Sequence, residues 1–172
     1  MRFIANIVLY QCAWFACVLG TATHHYWLGF AVIAATLLWH LWAAHAPGRE
    51  LLLIGICALV GAMFESLLIE TGWVRMEPAA LLAGITPLWM VALWAAFATT
   101  LNVSLRSLRR RYVLIALLGA VGAPLAYAAG VRLGALQWVR PVPALLTIAI
   151  GWALALPLLG KTAQRFDGFA AP

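Results

Sequence analysis

Six apolar runs, each near the length of a bilayer-spanning helix, follow one another along the chain with only short polar breaks. No other feature limits the fold as much. About 20 apolar residues at roughly 1.5 Å each match the roughly 30 Å hydrocarbon core of a bilayer. The runs cover about 3–20, 26–45, 51–72, 80–103, 112–130 and 141–160. Only 9% of residues are charged and 66% are hydrophobic, whereas soluble domains carry about 25% charged residues. The expected fold is an all-α integral membrane protein, a six-transmembrane-helix bundle forming one domain over 1–160. A short tail, 161–172, is expected to be frayed. Asn6 and Gln11 interrupt the first run, which therefore reads as the first membrane helix and not as a signal peptide. The segment 131–140 is too short to span; it extends the fifth helix or lies at the surface.

Basic residues set the expected orientation. The side of the N-terminus collects Arg2, Arg49, the four Arg of "RSLRRR", Lys161 and Arg165, eight in all, against Arg75, Arg132 and Arg140 on the other. Cytoplasmic loops carry such an excess, so both termini are expected to be cytoplasmic, in a bacterial inner membrane. The net charge of +6 is spread over these loops, which argues against nucleic acid and for contacts with anionic lipid headgroups. Short loops make consecutive helices antiparallel neighbours.

The polar residues inside the runs are the candidate functional groups. Glu65, in "GAMFESLLIETG", precedes Gly72 by seven residues, about 10 Å along a helix. At that depth a carboxylate must be protonated, paired or facing water. Tyr127 and Arg132 on the fifth run fall near the same level. Glu65, Tyr127 and Arg132 are thus read either as a polar pocket in an apolar wall or as a structural ion pair. Ser66 points elsewhere on its helix, and Trp89 and Trp94 lie deeper. A second polar set, Asn6, Gln11, His40, Asn102, Ser104 and Arg106, falls near the opposite face, where Asn and Gln commonly bond between helices. His40, beside Trp39 and Trp42, reads as an interface residue. Gly122, Ala126, Gly130 and Gly134 stand four apart, either as a helix seam or as a slot for a lipid chain. His24 and His25 lack a third ligand, and Cys12, Cys17 and Cys57 lack metal spacing. Neither a metal nor another cofactor is expected.

The stretches "NIVLYQCAWFACVLG", "GAMFES", "PLWMVALWAAFATTLNVSL" and "GAVGAPLAYAAGVRLGAL" resemble domain-of-unknown-function family 2878, a group of small bacterial membrane proteins. Asn6, Gln11, Ser66, Trp89, Trp94, Asn102, Tyr127 and Arg132 match that family's motifs. Glu65 stands where the family more often has Asp, and Val103 where it often has His. Some members are encoded near fatty-acid-modifying enzymes, so the resemblance implies lipid work.

The expected function is binding or processing of a lipid or fatty acyl group around Glu65. Glu65 and Tyr127 are the candidate catalytic pair. Arg132, Ser66, Trp89, Trp94, Asn102, Gln11 and Asn6 are candidate binding residues. Two other classes compete: a small, possibly dimeric, proton-coupled transporter, and a non-catalytic scaffold for a lipid-modifying enzyme. The expected partners are membrane lipids, with a homodimer or such an enzyme as further candidates.

Overall fold

The computed structural model describes residues 2–76 and 85–170. They form six helices, α1 (Arg2–Ala22), α2 (Tyr26–Ala43), α3 (Pro47–Glu70), α4 (Leu88–Leu101), α5 (Tyr112–Arg132) and α6 (Pro141–Arg165), with two short strands, β1 (Val74–Met76) and β2 (Leu136–Trp138). Every helix but α4 is long and apolar enough to cross a membrane. Their outward faces carry exposed leucines such as Leu38, Leu59, Leu67, Leu125 and Leu154. A protein surrounded by water does not present such a surface, whereas one surrounded by lipid does.

Lipid gives apolar helices little reason to associate, so packing relies on small residues that let backbones approach. A Cβ on Gly29 of α2 would lie 2.7 Å from the Cys17 Cα of α1, and one on Gly119 of α5 would lie 2.4 Å from the Trp152 carbonyl oxygen of α6. The helices therefore pair as hairpins, α1 with α2, α3 with α4 and α5 with α6. Sequence neighbours across the hairpins do not all pack: α4 leaves α5 and instead lies against α1, α2 and α3.

The expected fourth span, 80–103, proves shorter. Residues 80–84 lie outside the described residues, and α4 begins only after Pro87. A residue preceding proline is held out of helical conformation, so Thr86 cannot extend the helix backwards. With 14 residues, α4 is about 21 Å long, short of a full span. Ten of those 14 are buried, which makes α4 the centre of the bundle and not one of its walls. The non-helical backbone before it needs hydrogen-bond partners at depth; the Thr86 N–H donates to the Ser66 hydroxyl at 3.1 Å.

The segment 131–140 finishes α5 and then forms β2. Its partner β1 runs antiparallel, with Val74 opposite Trp138 and Met76 opposite Leu136. Val74 and Met76 point inward while Arg75 is exposed, the alternation of a strand with one buried face. This ribbon lies at the end of the bundle where α3 and α5 finish. The opposite end holds the start of α1 and the end of α6. Asn6 near the start of α1 donates to the Thr99 carbonyl at 3.1 Å, and Asn102 beyond α4 donates to the Phe166 carbonyl at 3.1 Å.

The tightest helix contact tests this packing. A Cβ on Gly61 of α3 would fall 2.1 Å from the Trp94 indole of α4, whereas one on Gly55 meets nothing within 4 Å. Thermal unfolding in detergent should show Gly61→Leu destabilised by at least about 1–3 kcal/mol, with Gly55→Leu within about 0.5 kcal/mol of wild type.

Candidate functional site

The three hairpins do not close on one another everywhere. Between α1 and α4 on one side and α5 and α6 on the other lies a cleft of about 580 Å³. Ligand sites fall in a range of about 300–1,000 Å³. Aromatic side chains dominate its walls: Tyr10 and Trp14 of α1, Trp94 and Phe97 of α4, Tyr127 of α5 and Trp152 of α6. Trp94 and Trp152 stack with ring centroids 4.4 Å apart. The small residues of α5 form the facing wall, and a Cβ on Gly122 would meet nothing within 4 Å. Of the expected stripe, Gly122, Ala126 and Gly130 line the cleft, while Gly119, one turn earlier, both lines it and makes the seam with α6. Exposed lining residues on α1 (Gln11, Phe15) and α5 (Leu118) place the mouth between those two helices.

Glu65 lies one hydrogen bond behind this wall and is completely buried. Its Oε1 accepts from Trp94 Nε1 at 2.9 Å and from the Tyr127 hydroxyl. Three helices thus meet at one carboxyl oxygen: α3 brings Glu65, α4 Trp94 and α5 Tyr127. Both donors also line the cleft. The second oxygen, Oε2, has no partner among the described residues. The expected trio is corrected in one member. Arg132, in the last turn of α5, is exposed and forms no ion pair with Glu65. A cation at a helix end can reach the headgroup layer, and indole and phenol donors take the place that sequence had given to it.

The other candidates divide by position. Trp89 and Gln11 line the cleft together with Trp94, and the buried Trp89 Nε1 has no partner among the described residues. Ser66 accepts from the Thr86 backbone, as above. Asn6 ties α1 to the α4 backbone at Thr99. Asn102 belongs to a second buried cluster at the opposite end.

That second cluster centres on Glu50, a residue sequence reasoning passed over. Glu50 is fully buried; its Oε2 lies 2.8 Å from His40 Nε2, and its Oε1 accepts from Asn102 Nδ2 and the Gly168 N–H, both at 2.7 Å. Arg109 donates to the Asn102 side-chain oxygen and, at 2.6 Å, to Asp167. Arg106 joins the same Asp167 oxygen at 3.0 Å. Two expectations are corrected here. His40 is not an interface residue but is completely buried against Glu50. The tail is not frayed: α6 runs on to Arg165, and the Gly168 carbonyl then accepts from the His45 and Ala46 N–H groups at 2.9 and 3.0 Å. Asp167 lies beyond the helices. Burial raises its pKa, but hydrogen bonds from Arg109 and the Phe169 N–H, with the charges of Arg109 and Arg106, outweigh this and hold it below the ordinary value. One signal could have exposed Glu50. It precedes Glu65 by 15 residues, just over four helical turns, so the two acids face much the same way.

The model of the family described as "Protein of unknown function (DUF2878)" matches residues 3–158, and the chain belongs to that family. No curated protein and no solved structure matches the chain.

The tail cluster has a pH signature. A carboxyl whose folded pKa is depressed adds stability above its unfolded value and loses it as pH falls through the folded one. Asp167→Asn should cost about 2 kcal/mol near neutral pH. The gap to wild type should begin to narrow below about pH 4, where the unfolded chain's carboxyl protonates, and close as pH falls through the lower folded value. Thermal midpoints in detergent across that range check both statements.

Proposed function

We propose that this member of the DUF2878 family is a bacterial inner-membrane protein with six transmembrane segments, α4 being the short central one, and with both termini cytoplasmic. In this reading it binds or processes a lipid or fatty acyl group in the cleft beside Glu65. The orientation is supported by charge: the end of the bundle where α1 starts and α6 finishes also holds the "RSLRRR" turn and the N-terminus of α3. Eight of the 11 Lys and Arg residues fall there, as the positive-inside rule requires of a cytoplasmic face.

The observation that carries the lipid reading is the cleft itself. It is apolar, lined by aromatic rings, and has its mouth between two helices with exposed apolar faces. A polar solute would lose its water between such walls, whereas an acyl chain leaves an equally apolar bilayer for them at no such cost. A reactive group held in the cleft would meet Tyr127 first, with Glu65 behind it as proton donor or acceptor. The Tyr127 hydroxyl donates to Glu65, so a proton arriving at its oxygen from the cleft would be matched by transfer of its own hydrogen to an ionised Glu65.

Glu65→Gln separates this role from a structural one. The amide keeps an oxygen to accept from Trp94 and Tyr127, so the variant should fold, but it cannot carry a proton. Whole-cell lipid mass spectrometry on the intact strain, a deletion strain and a Glu65→Gln strain at equal abundance tests the reading. The expected result is one specific lipid change shared by the deletion and the variant. An unchanged lipid profile in the deletion strain would overturn the reading and favour transport of a soluble solute.

A further inference from the structure

Most polar side chains that enter this bundle are met by the protein itself. Asn6 donates to the Thr99 carbonyl, Thr36 to that of Val32 and Thr100 to that of Phe97. Others, such as Trp152 Nε1, are unpaired among the described residues but sealed from any visitor. Tyr10 and Gln11, adjacent on α1, fit neither group. Neither side chain makes a hydrogen bond among the described residues, and both line the cleft. We infer that these two residues bind a hydroxyl or carbonyl group that the occupant of the cleft carries to mid-bilayer depth. The inference rests on the lipid reading above; it adds what the lipid carries and which residues read it.

Three observations carry it. The first is access. Gln11 is exposed. Tyr10 is half-buried, but its hydroxyl is not among the sealed atoms that lack a partner, so it keeps accessible surface. A molecule in the cleft can reach both.

The second is depth. Gln11 stands nine residues after Arg2 and eleven before Ala22, about 13 and 16 Å from the two ends of α1. Its short carboxamide reaches neither headgroup layer from there. An amide or hydroxyl left unpaired in hydrocarbon is costly, and a partner from outside the chain removes that cost.

The third is direction. Gln11 stands at the mouth with Phe15, where a second copy of the chain laid against α1 can also touch it. Such a copy does not reach Tyr10, which turns toward α4 and packs edge-on against Phe97, with ring centroids 5.9 Å apart. An occupant of the cleft meets both residues. Each offers a donor and an acceptor, so a hydroxyl bonds to them in either direction and a carbonyl accepts from both.

Native mass spectrometry reads bound lipid and oligomeric state together. The full-length protein in mild detergent is given an equimolar mixture of distearoyl phosphatidylglycerol, the same lipid with a mid-chain hydroxyl on each acyl chain, and monostearoylglycerol, whose hydroxyls lie on an uncharged head. One of the two hydroxyl-bearing probes should be retained roughly tenfold over the plain phospholipid; which one shows whether chain or head delivers the oxygen. Tyr10→Phe and Gln11→Leu should each lower that ratio several-fold, and the double variant should remove it. Neither should lower the thermal midpoint, because neither removes a bond within the protein. A lowered midpoint in Tyr10→Phe without lipid, or a preference that neither variant reduces, would overturn the inference. So would a wild-type dimer that Gln11→Leu splits, with no preference among the lipids, since Gln11 would then serve a second copy. Equal retention of all three lipids that Gly122→Phe abolishes would overturn the inference and leave the lipid cleft standing. Retention that Gly122→Phe does not change would overturn both.

Discussion

One helix holds another by two buried carboxylates. Glu65 and Glu50 stand near the two ends of α3, and each takes a donor from α4 or its immediate extension: Trp94 Nε1 at 2.9 Å and Asn102 Nδ2 at 2.7 Å. An acid inside an apolar bundle must be met by donors or abandon its charge, so these contacts are obligatory. They account for a central helix too short to cross a membrane alone. Once α4 is fixed at its middle and at its C-terminal end, Gly61 admits the Trp94 ring against α3, and α1 and α2 close around the far side. Each acid then reaches one partner more distant in the chain, Glu65 to Tyr127 on α5 and Glu50 to Gly168 after α6. The two contacts fasten the α5–α6 hairpin to the rest.

That fastening leaves the cleft. The α5–α6 hairpin docks on α3 through Phe64, which occupies the space over Gly151, and on Glu65 through Tyr127. It does not pack along α1. What remains between α1 and α5 is walled by aromatic rings on one side and small residues on the other. The candidate site is thus a by-product of how the hairpins are tied, and its polar floor is the same hydrogen bond that ties them. Folding and any proton chemistry share Glu65, which is why Glu65→Gln, and not a smaller residue, is the informative substitution.

Much of this architecture is legible in the sequence because lipid enforces a simple rule of length and polarity. Each of the six runs contains a helix, and Glu65 and Tyr127 fall at one level because helical rise fixes depth. What was not legible depends on pairing. Nothing local reveals that "FDG" in the tail returns to Glu50, because the partner lies over a hundred residues away. Arg132 is the natural partner for a buried acid by charge alone, yet the structure meets one oxygen of Glu65 with two neutral donors, whose desolvation costs less. Pro87 marked the start of α4 in plain sight, but the apolar run continues through it, and hydropathy does not register a backbone constraint. The ribbon of β1 and β2 was hidden for a similar reason: two three-residue strands carry too little pattern to stand out from loop.

The central claim is that the cleft between α1 and α5 is a lipid site. Its most direct test is to purify the protein and its Gly122→Phe variant from their native membrane in mild detergent and identify the bound lipids by mass spectrometry. The account predicts one lipid class retained at about one molecule per protein and lost from the variant. Retention of only the bulk membrane lipids, in the same proportions in both proteins, would contradict it.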